Sequence, residues 1–327
     1  MEIDLKDRKI LYHLDLNCRQ SNSQIGKKVG LSRKVVEYRI KRMEEEGIIK
    51  NYYAAIDAYK LGYQFYRIYL NFQYVTSDLK KEIIKHFVDY EKISTVSTAR
   101  GFYYLITVFW VKEIEKFYSF WEKTLIKYGN YFAEQLFSLY IKGCGYPKSV
   151  LLDDKSIKNN EEIETFGISK NYEIDETDYR LLNKISLDAR CPLIVLAKEL
   201  SCSSQNVNYR LKNLIKKGII QSFRVNLDLD KIGLRRNKIN IYLKEHNKRI
   251  DIVNFLKQLP NLSYFSTSIG LCDLELELLV KNTDEFMKII ETIDEKFPGA
   301  IRNYNYYSDI IDYIETFLPR MTEKDFK

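Results

Sequence analysis

"GLSRKVVEYRIKRMEEEGII", residues 30–49, and "SCSSQNVNYRLKNLIKKGII", residues 201–220, are two spellings of one pattern. In the first, Gly30 and Leu31 make a turn, and Ser32 is placed to accept a hydrogen bond from the open amides of a helix start. Val36, Ile40 and Met43 follow at helical spacing, so they share one face and should be buried. The outer face then carries Arg33, Lys34, Glu37, Tyr38 and Lys41, and Gly47, tolerant of positive φ, ends the helix. The second spelling caps with Ser203, buries Val207, Leu211 and Leu214, and exposes Ser204, Gln205, Asn208, Tyr209 and Lys212.

Shifting the chain by 171 residues extends the match without a gap, laying Asp4 on Asp175, Arg19 on Arg190 and Gly47 on Gly218. A match of that extent marks a duplicated domain. Asp4 can cap a helix carrying Ile10, Leu11 and Leu14, and Ser21 with Gln24 has the capping-box spacing of a second, short helix. After Gly47, "IIKNYYAAID" alternates and is rich in branched and aromatic residues, so it reads as a β-ribbon, a wing. Helix, helix, turn, helix and wing make a winged helix-turn-helix. The Arg33 and Lys34 surface suits phosphates and guanine edges, whereas Gln205 and Asn208 offer the paired donor and acceptor that bridges adenine. Ser32 and Ser203 at the helix starts, and Lys50 and Arg224 on the two ribbons, complete the candidate DNA contacts. Any amphipathic helix has a polar face; it is the presence of two complete units that favours DNA.

A different rhythm follows each ribbon. "FYRIYLNFQY", "DLKKEIIKHFVDY", "ISTVSTARGFYYLITVFW", "KEIEKFYSFWEKTLIKY" and "YFAEQLFSLYI" read as strand, helix, two strands about Gly101, helix and strand, and residues 238–314 repeat the order. That βαββαβ order is ferredoxin-like. The predicted fold is α+β: two winged helix-turn-helix domains (1–62 and 174–233) and two ferredoxin-like domains (63–143 and 234–318), with a polar, mixed-charge linker at 144–173 whose apolar patch could dock, and a tail at 319–327. One face of each ferredoxin-like sheet is left for pairing, so the halves should meet as an intramolecular pseudo-dimer.

Composition narrows the function classes. The 327 residues are 45% hydrophobic, enough for several packed domains, and the net charge of +7 is compatible with a polyanionic partner. No apolar run is long enough to cross a bilayer and the start has no signal-peptide pattern, so a cytoplasmic protein is expected. The five cysteines form no C-x-x-C pair and read as reduced thiols rather than a disulfide framework or zinc site. Neither a nucleotide-binding loop nor a nucleophile triad is visible, and no cofactor is expected.

Taken together, the D-x-x-D starts (Asp4, Asp7; Asp175, Asp178), the arginine after each first helix, "LS...V..RI..M...GII", "GLCDLELEL" and "FPGA" resemble the Lrp/AsnC regulators of bacteria and archaea, as two subunits in tandem. The resemblance implies that the ferredoxin-like (RAM-type) domains pair back to back, that the winged domains grip double-stranded DNA, and that an amino-acid effector can sit at the turn between the second and third strands. In the second half that turn carries Gly270, Cys272 and Asp273; the first half has Tyr104 in place of Asp273, so sensing should be lopsided. Gly101 and Gly270 also read simply as hairpin residues. Two rivals stand beside this reading. Siroheme decarboxylases resemble the same family, but His13, His86 and His246 are scattered in this chain. A chromatin-like protein that coats DNA would need no Gln205 or Asn208.

Overall fold

Asp4 opens the first helix, α1 (Leu5–Leu16), through a capping box: it accepts the N–H of Asp7, whose carboxylate accepts the N–H of Asp4. The structure is a computed structural model describing residues 3–152, 162–321 and 326. Ser21 and Gln24 form the expected capping box, opening α2 (Asn22–Val29), which ends at Gly30 with φ 69°. Ser32 caps α3 (Arg33–Glu45), and Val36, Ile40 and Met43 are its buried residues. Each such cap contributes roughly 1 kcal/mol. Strand β1 (Ile49–Ile56) leads into the first ferredoxin-like unit: β2 (Gln64–Phe72), α4 (Ser77–Val88), β3 (Ile93–Gly101), β4 (Leu105–Val111), α5 (Ile114–Tyr128) and β5 (Phe132–Gly145). A short strand β6 (Glu164–Gly167) precedes the second half, α6 (Glu176–Leu187), α7 (Leu193–Glu199), α8 (Ser204–Lys216) and β7 (Ile220–Leu227). The second ferredoxin-like unit is β8 (Arg235–Leu243), α9 (Arg249–Leu256), β9 (Leu262–Ile269), β10 (Leu274–Val280), α10 (Thr283–Lys296) and β11 (Ile301–Glu315).

The expected wings are not ribbons within their own units. β1 pairs antiparallel with β7, setting Tyr52 opposite Val225 and Ala54 opposite Phe223, and β1 is followed by a 3-10 turn at Ala58–Leu61 instead of a return strand. The end of β1 explains why: Ala54, Ala55 and Ile56 are all buried, which an exposed wing would not allow. The strands are exchanged between cores as well. α1 packs on β7 and α6 on β1. Ile10, Leu14 and Met43 share a core with Val225 and Leu227, and Leu181 and Leu214 share one with Ala54 and Ile56. The loop after each first helix is bonded to the opposite strand, Cys18 N–H to Phe223 O at 2.8 Å and Ala189 N–H to Tyr52 O at 2.9 Å.

The first ferredoxin-like sheet runs β5-β2-β4-β3 and the second β11-β8-β10-β9, the same order in each. β3 then pairs with β11 and β9 with β5, so the eight strands close into one barrel. Alternation assigns the faces. Ile68 and Leu70 pack outward with Ile83 and Phe87 of α4, while Arg67 and Tyr69 point inward and bond Glu275. The segment expected to be a polar linker is largely built into the fold. Cys144 and Gly145 finish β5, Val150 and Leu151 enter the core of the first helical unit, and β6 takes the edge of β5 beyond β2. Residues 153–161 lie outside the described residues.

Candidate nucleic-acid interface

On α3 the apolar face is buried and Arg33, Lys34, Glu37 and Lys41 are exposed, with Tyr38 66% exposed at the centre of the outer face. Among the described residues neither Arg33 nor Lys34 sits in an ion pair, whereas Lys41 lies 3.7 Å from Glu45 one turn on. Ser32 is spent as the cap, accepting from Val35 N–H at 3.3 Å. Lys50, at the start of β1, is exposed. On α8, Val207, Leu211 and Leu214 are buried, Ser203 caps by accepting from Asn206 N–H at 3.1 Å, and Gln205, Tyr209 and Lys212 are exposed. Ser204 and Asn208 are half-buried on the same outer side. The two outer faces thus differ, one rich in charge and one in neutral donors and acceptors.

Each recognition helix is fixed to its neighbour by the D-x-x-D pair. Arg39 donates to Asp4 at 2.7 Å and to Asp7 at 2.8 Å, and Arg42 donates to Asp7 at 2.7 Å. In the second unit Arg210 reaches Asp175 and Asp178, each at 2.7 Å. These arginines lie on the helices that carry the candidate contacts, yet they face sideways into the protein. Arg19 and Arg190 also serve the joint: Arg19 donates to Ala189 O at 2.7 Å, and Arg190 lies over the Tyr52 ring at 5.1 Å.

Arg224 must be removed from the candidate contacts. It is 4% exposed, bonds both carboxylate oxygens of Asp15 at 3.1 and 2.7 Å, and donates to Tyr146 O at 2.8 Å. Glu164 of β6 lies 3.4 Å away, and Lys148 pairs with the same Asp15. Burial pushes the Asp15 carboxyl up, but Arg224 and Lys148 more than reverse this and hold it below the usual carboxylate range. Pairing between β1 and β7 turned a ribbon surface into an interior, and a basic residue there became a bracket between α1, the linker and the second half. Sequence reasoning gave no role to Asp15, Lys148 or Glu164; the only signal was a carboxylate on the apolar side of α1.

The effector turn is engaged in packing. A Cβ on Gly270, at φ 112°, would meet Phe137 O at 2.6 Å, and one on Gly101, at φ 126°, would meet Tyr306 O at 2.6 Å. Both glycines therefore allow the last strand of the other half to approach. Cys272 is buried, and burial pushes its thiol up. Asp273 accepts Leu243 N–H at 2.8 Å, with His246 Nδ1 3.7 Å from its other oxygen. Tyr104 donates its N–H to Asn71 Oδ1 at 3.0 Å and lies under Lys80. Of the three residues expected at an effector, Gly270 is exposed, Asp273 half-buried and Cys272 buried. The histidines do not meet: His13 is half-buried in α1, His86 bonds Thr124 and stacks on Phe120, and His246 is exposed after β8.

Paired helix-turn-helix units carried on a closed barrel of two ferredoxin-like sheets define a tandem DNA-binding class. The family model described as winged helix-turn-helix DNA-binding matches residues 3–50 and 174–221, one copy per half. The HTH-type transcriptional regulator LrpB of Bacillus subtilis is 31% identical over 132 residues, 40% of this chain and 86% of LrpB. An uncharacterized HTH-type transcriptional regulator of Pyrococcus abyssi is 44% identical over 120 residues, 36% of this chain and 80% of that protein. The chain belongs to the Lrp/AsnC family of HTH-type transcriptional regulators. Its whole length, 98%, also superposes on 96% of the siroheme decarboxylase NirDL with a TM-score of 0.62 at 14% identity, a likeness of fold.

Proposed function

We propose that the chain is a transcription regulator of the cytoplasm that reads one asymmetric, two-part site on double-stranded DNA. The observation that carries this is the pairing of β1 with β7. It joins two helix-turn-helix units into a single body while their outer faces differ, charged on α3 and neutral on much of α8. A fixed pair of recognition helices suits successive major grooves, about 34 Å apart on a duplex. Selecting bound duplexes from a random pool and footprinting the winners tests the proposal. The expected result is two unlike half-sites at one spacing, bound on the order of a thousandfold more tightly than random duplex. Equal binding to random DNA would favour a coating protein. The siroheme-decarboxylase reading predicts an absorption band that saturates as siroheme is added; with histidines on α1, on α4 and after β8, each with its own neighbours, no band is expected.

A further inference from the structure

The turn after each first helix is built alike in the two halves. Asn17 Oδ1 accepts Arg19 N–H at 2.9 Å and Asp188 Oδ1 accepts Arg190 N–H at 3.2 Å, so the two arginines leave the backbone from matching turns. Their targets differ. Arg19 donates to the Ala189 carbonyl, and its guanidinium lies 5.4 Å from the centre of the Phe223 ring. Arg190 crosses to the first half and meets polar side chains there. It donates to the Tyr52 hydroxyl at 3.5 Å and to Asn22 Oδ1 at 3.1 Å, and the Tyr52 hydroxyl donates to Glu44 Oε1 at 2.6 Å. Tyr52 is buried, and burial, followed by Glu44, pushes its hydroxyl up. It therefore keeps its proton and serves both neighbours, accepting from the guanidinium while donating to the carboxylate. Asn22 is the first residue of α2 and Glu44 lies in the last turn of α3. One arginine of the second half thus reaches both helices of the first helix-turn-helix.

The shift of 171 residues lays Leu193 on Asn22, Ile215 on Glu44 and Phe223 on Tyr52. All three polar members of this chain of bonds are apolar in the other copy. Leu193 and Phe223 pack against the core of the second helical unit, and Ile215 is 46% exposed. A hydrogen-bonded chain is useful only with every link present, because a buried polar group without its partner is costly. Three replacements of the same kind at three linked positions are what such a chain requires. Hydrogen bonds also fix direction, whereas apolar contact holds by area and tolerates small rotations. The two recognition helices are therefore held by different means.

We propose that Arg190, Tyr52, Glu44 and Asn22 form a positioning clamp, through which the second half fixes the angle of α3 while α8 settles against apolar neighbours. None of the four is a candidate DNA contact. Their effect on DNA is to narrow the spacings between half-sites that the pair of helices accepts. That effect rests on the DNA-binding reading; the clamp itself does not.

The test has one arm without DNA and one with it. Nitroxide labels on Glu45→Cys and Lys216→Cys, at the exposed ends of α3 and α8, report the distance between the helices by pulsed electron resonance on the full chain. A Cys202→Ser background keeps the labels to those two sites, since the other four thiols are buried. Tyr52→Phe, the exchange already made in the other copy, should broaden or shift the distance distribution. Phe223→Tyr, with Ile215 and Leu193 for neighbours, should leave it unchanged. The DNA arm uses a selected duplex and versions with one to three base pairs added or removed between the half-sites. There Tyr52→Phe should shrink the preference for the selected spacing about tenfold with the salt slope unchanged, and Arg190→Met should add little to it, because both cut the same chain. The proposal is overturned by an unaltered distance distribution in Tyr52→Phe, by an equal change in Phe223→Tyr, by equal loss of affinity at every spacing, or by additive effects of Tyr52→Phe and Arg190→Met. Should Arg190→Met fail to fold, as judged by thermal unfolding, Glu44→Gln replaces it as the second cut. If the unaltered chain binds no DNA, the regulator reading falls and the distance arm alone decides the clamp.

Discussion

Arg33 and Lys34 of α3 occupy the positions that Ser204 and Gln205 hold in α8, and this difference should be measurable as counterion release. If both basic residues neutralise phosphates, the Arg33→Ala, Lys34→Ala double variant should lower the salt slope of DNA binding by about two units and weaken most sequences alike. The Gln205→Ala, Asn208→Ala pair should leave the slope fixed and relax preference at one half-site by about 1 to 3 kcal/mol per lost bidentate contact. Identical slope changes in the two variants would show that the helices do the same work. Arg224 gives the opposite contrast. Arg224→Met should leave the slope untouched, because the residue is buried, yet destabilise the fold by roughly 3–5 kcal/mol in urea unfolding, since Asp15 loses its principal partner. The lowered Asp15 carboxyl contributes stability above the ordinary carboxylate range, and that contribution fades as pH falls through its depressed value. The variant should therefore lose much of the unaltered chain's decline in acid.

At the level of elements, β1 and β7 are the joint between halves, and their amides should report it. Tyr53 N–H and Arg224 N–H, opposite each other across β1 and β7, should exchange with solvent only through a common opening, at nearly the same free energy, because neither helical core closes without the other strand. Far faster exchange in β1 than in β7 would mean that each unit stands alone. Local signals were readable in the chain: the Asp4 cap and the Ser21 box, the buried trio on each recognition helix, and the strand and helix order of both ferredoxin-like units all follow from periodicity and capping chemistry. The partner of β1 was not readable. An alternating strand states which face it buries but not which of several distant strands it meets, and the nearest candidate, its own return strand, does not exist. Lys50 kept its exposure while Arg224 lost it, although both were placed on the same kind of ribbon.

For the molecule as a whole, the barrel is clasped by Arg67 of the first half and Glu275 of the second, both buried, with the Tyr69 hydroxyl donating to the same carboxylate at 3.1 Å. Burial works to raise the Glu275 carboxyl, but Arg67 and Lys238 reverse it and hold it lowered. Removing one partner, by Arg67→Met or Glu275→Leu, should cost roughly 3–5 kcal/mol, whereas the double replacement should recover most of that loss in a thermal-unfolding cycle. A sum of two independent losses would place the partners in separate environments. The exchange of β1 and β7 has a further bearing on how such a chain changes over generations. When one gene encodes both members of a symmetric pair, every substitution is made twice, and a residue at the joint must suit its own mirror image. Here each codon is expressed in one half only. A change at Arg224 faces Tyr53, its counterpart in the repeat, and never another Arg224, so the joint can accept unlike partners while one recognition surface drifts and the other is held to its old sequence.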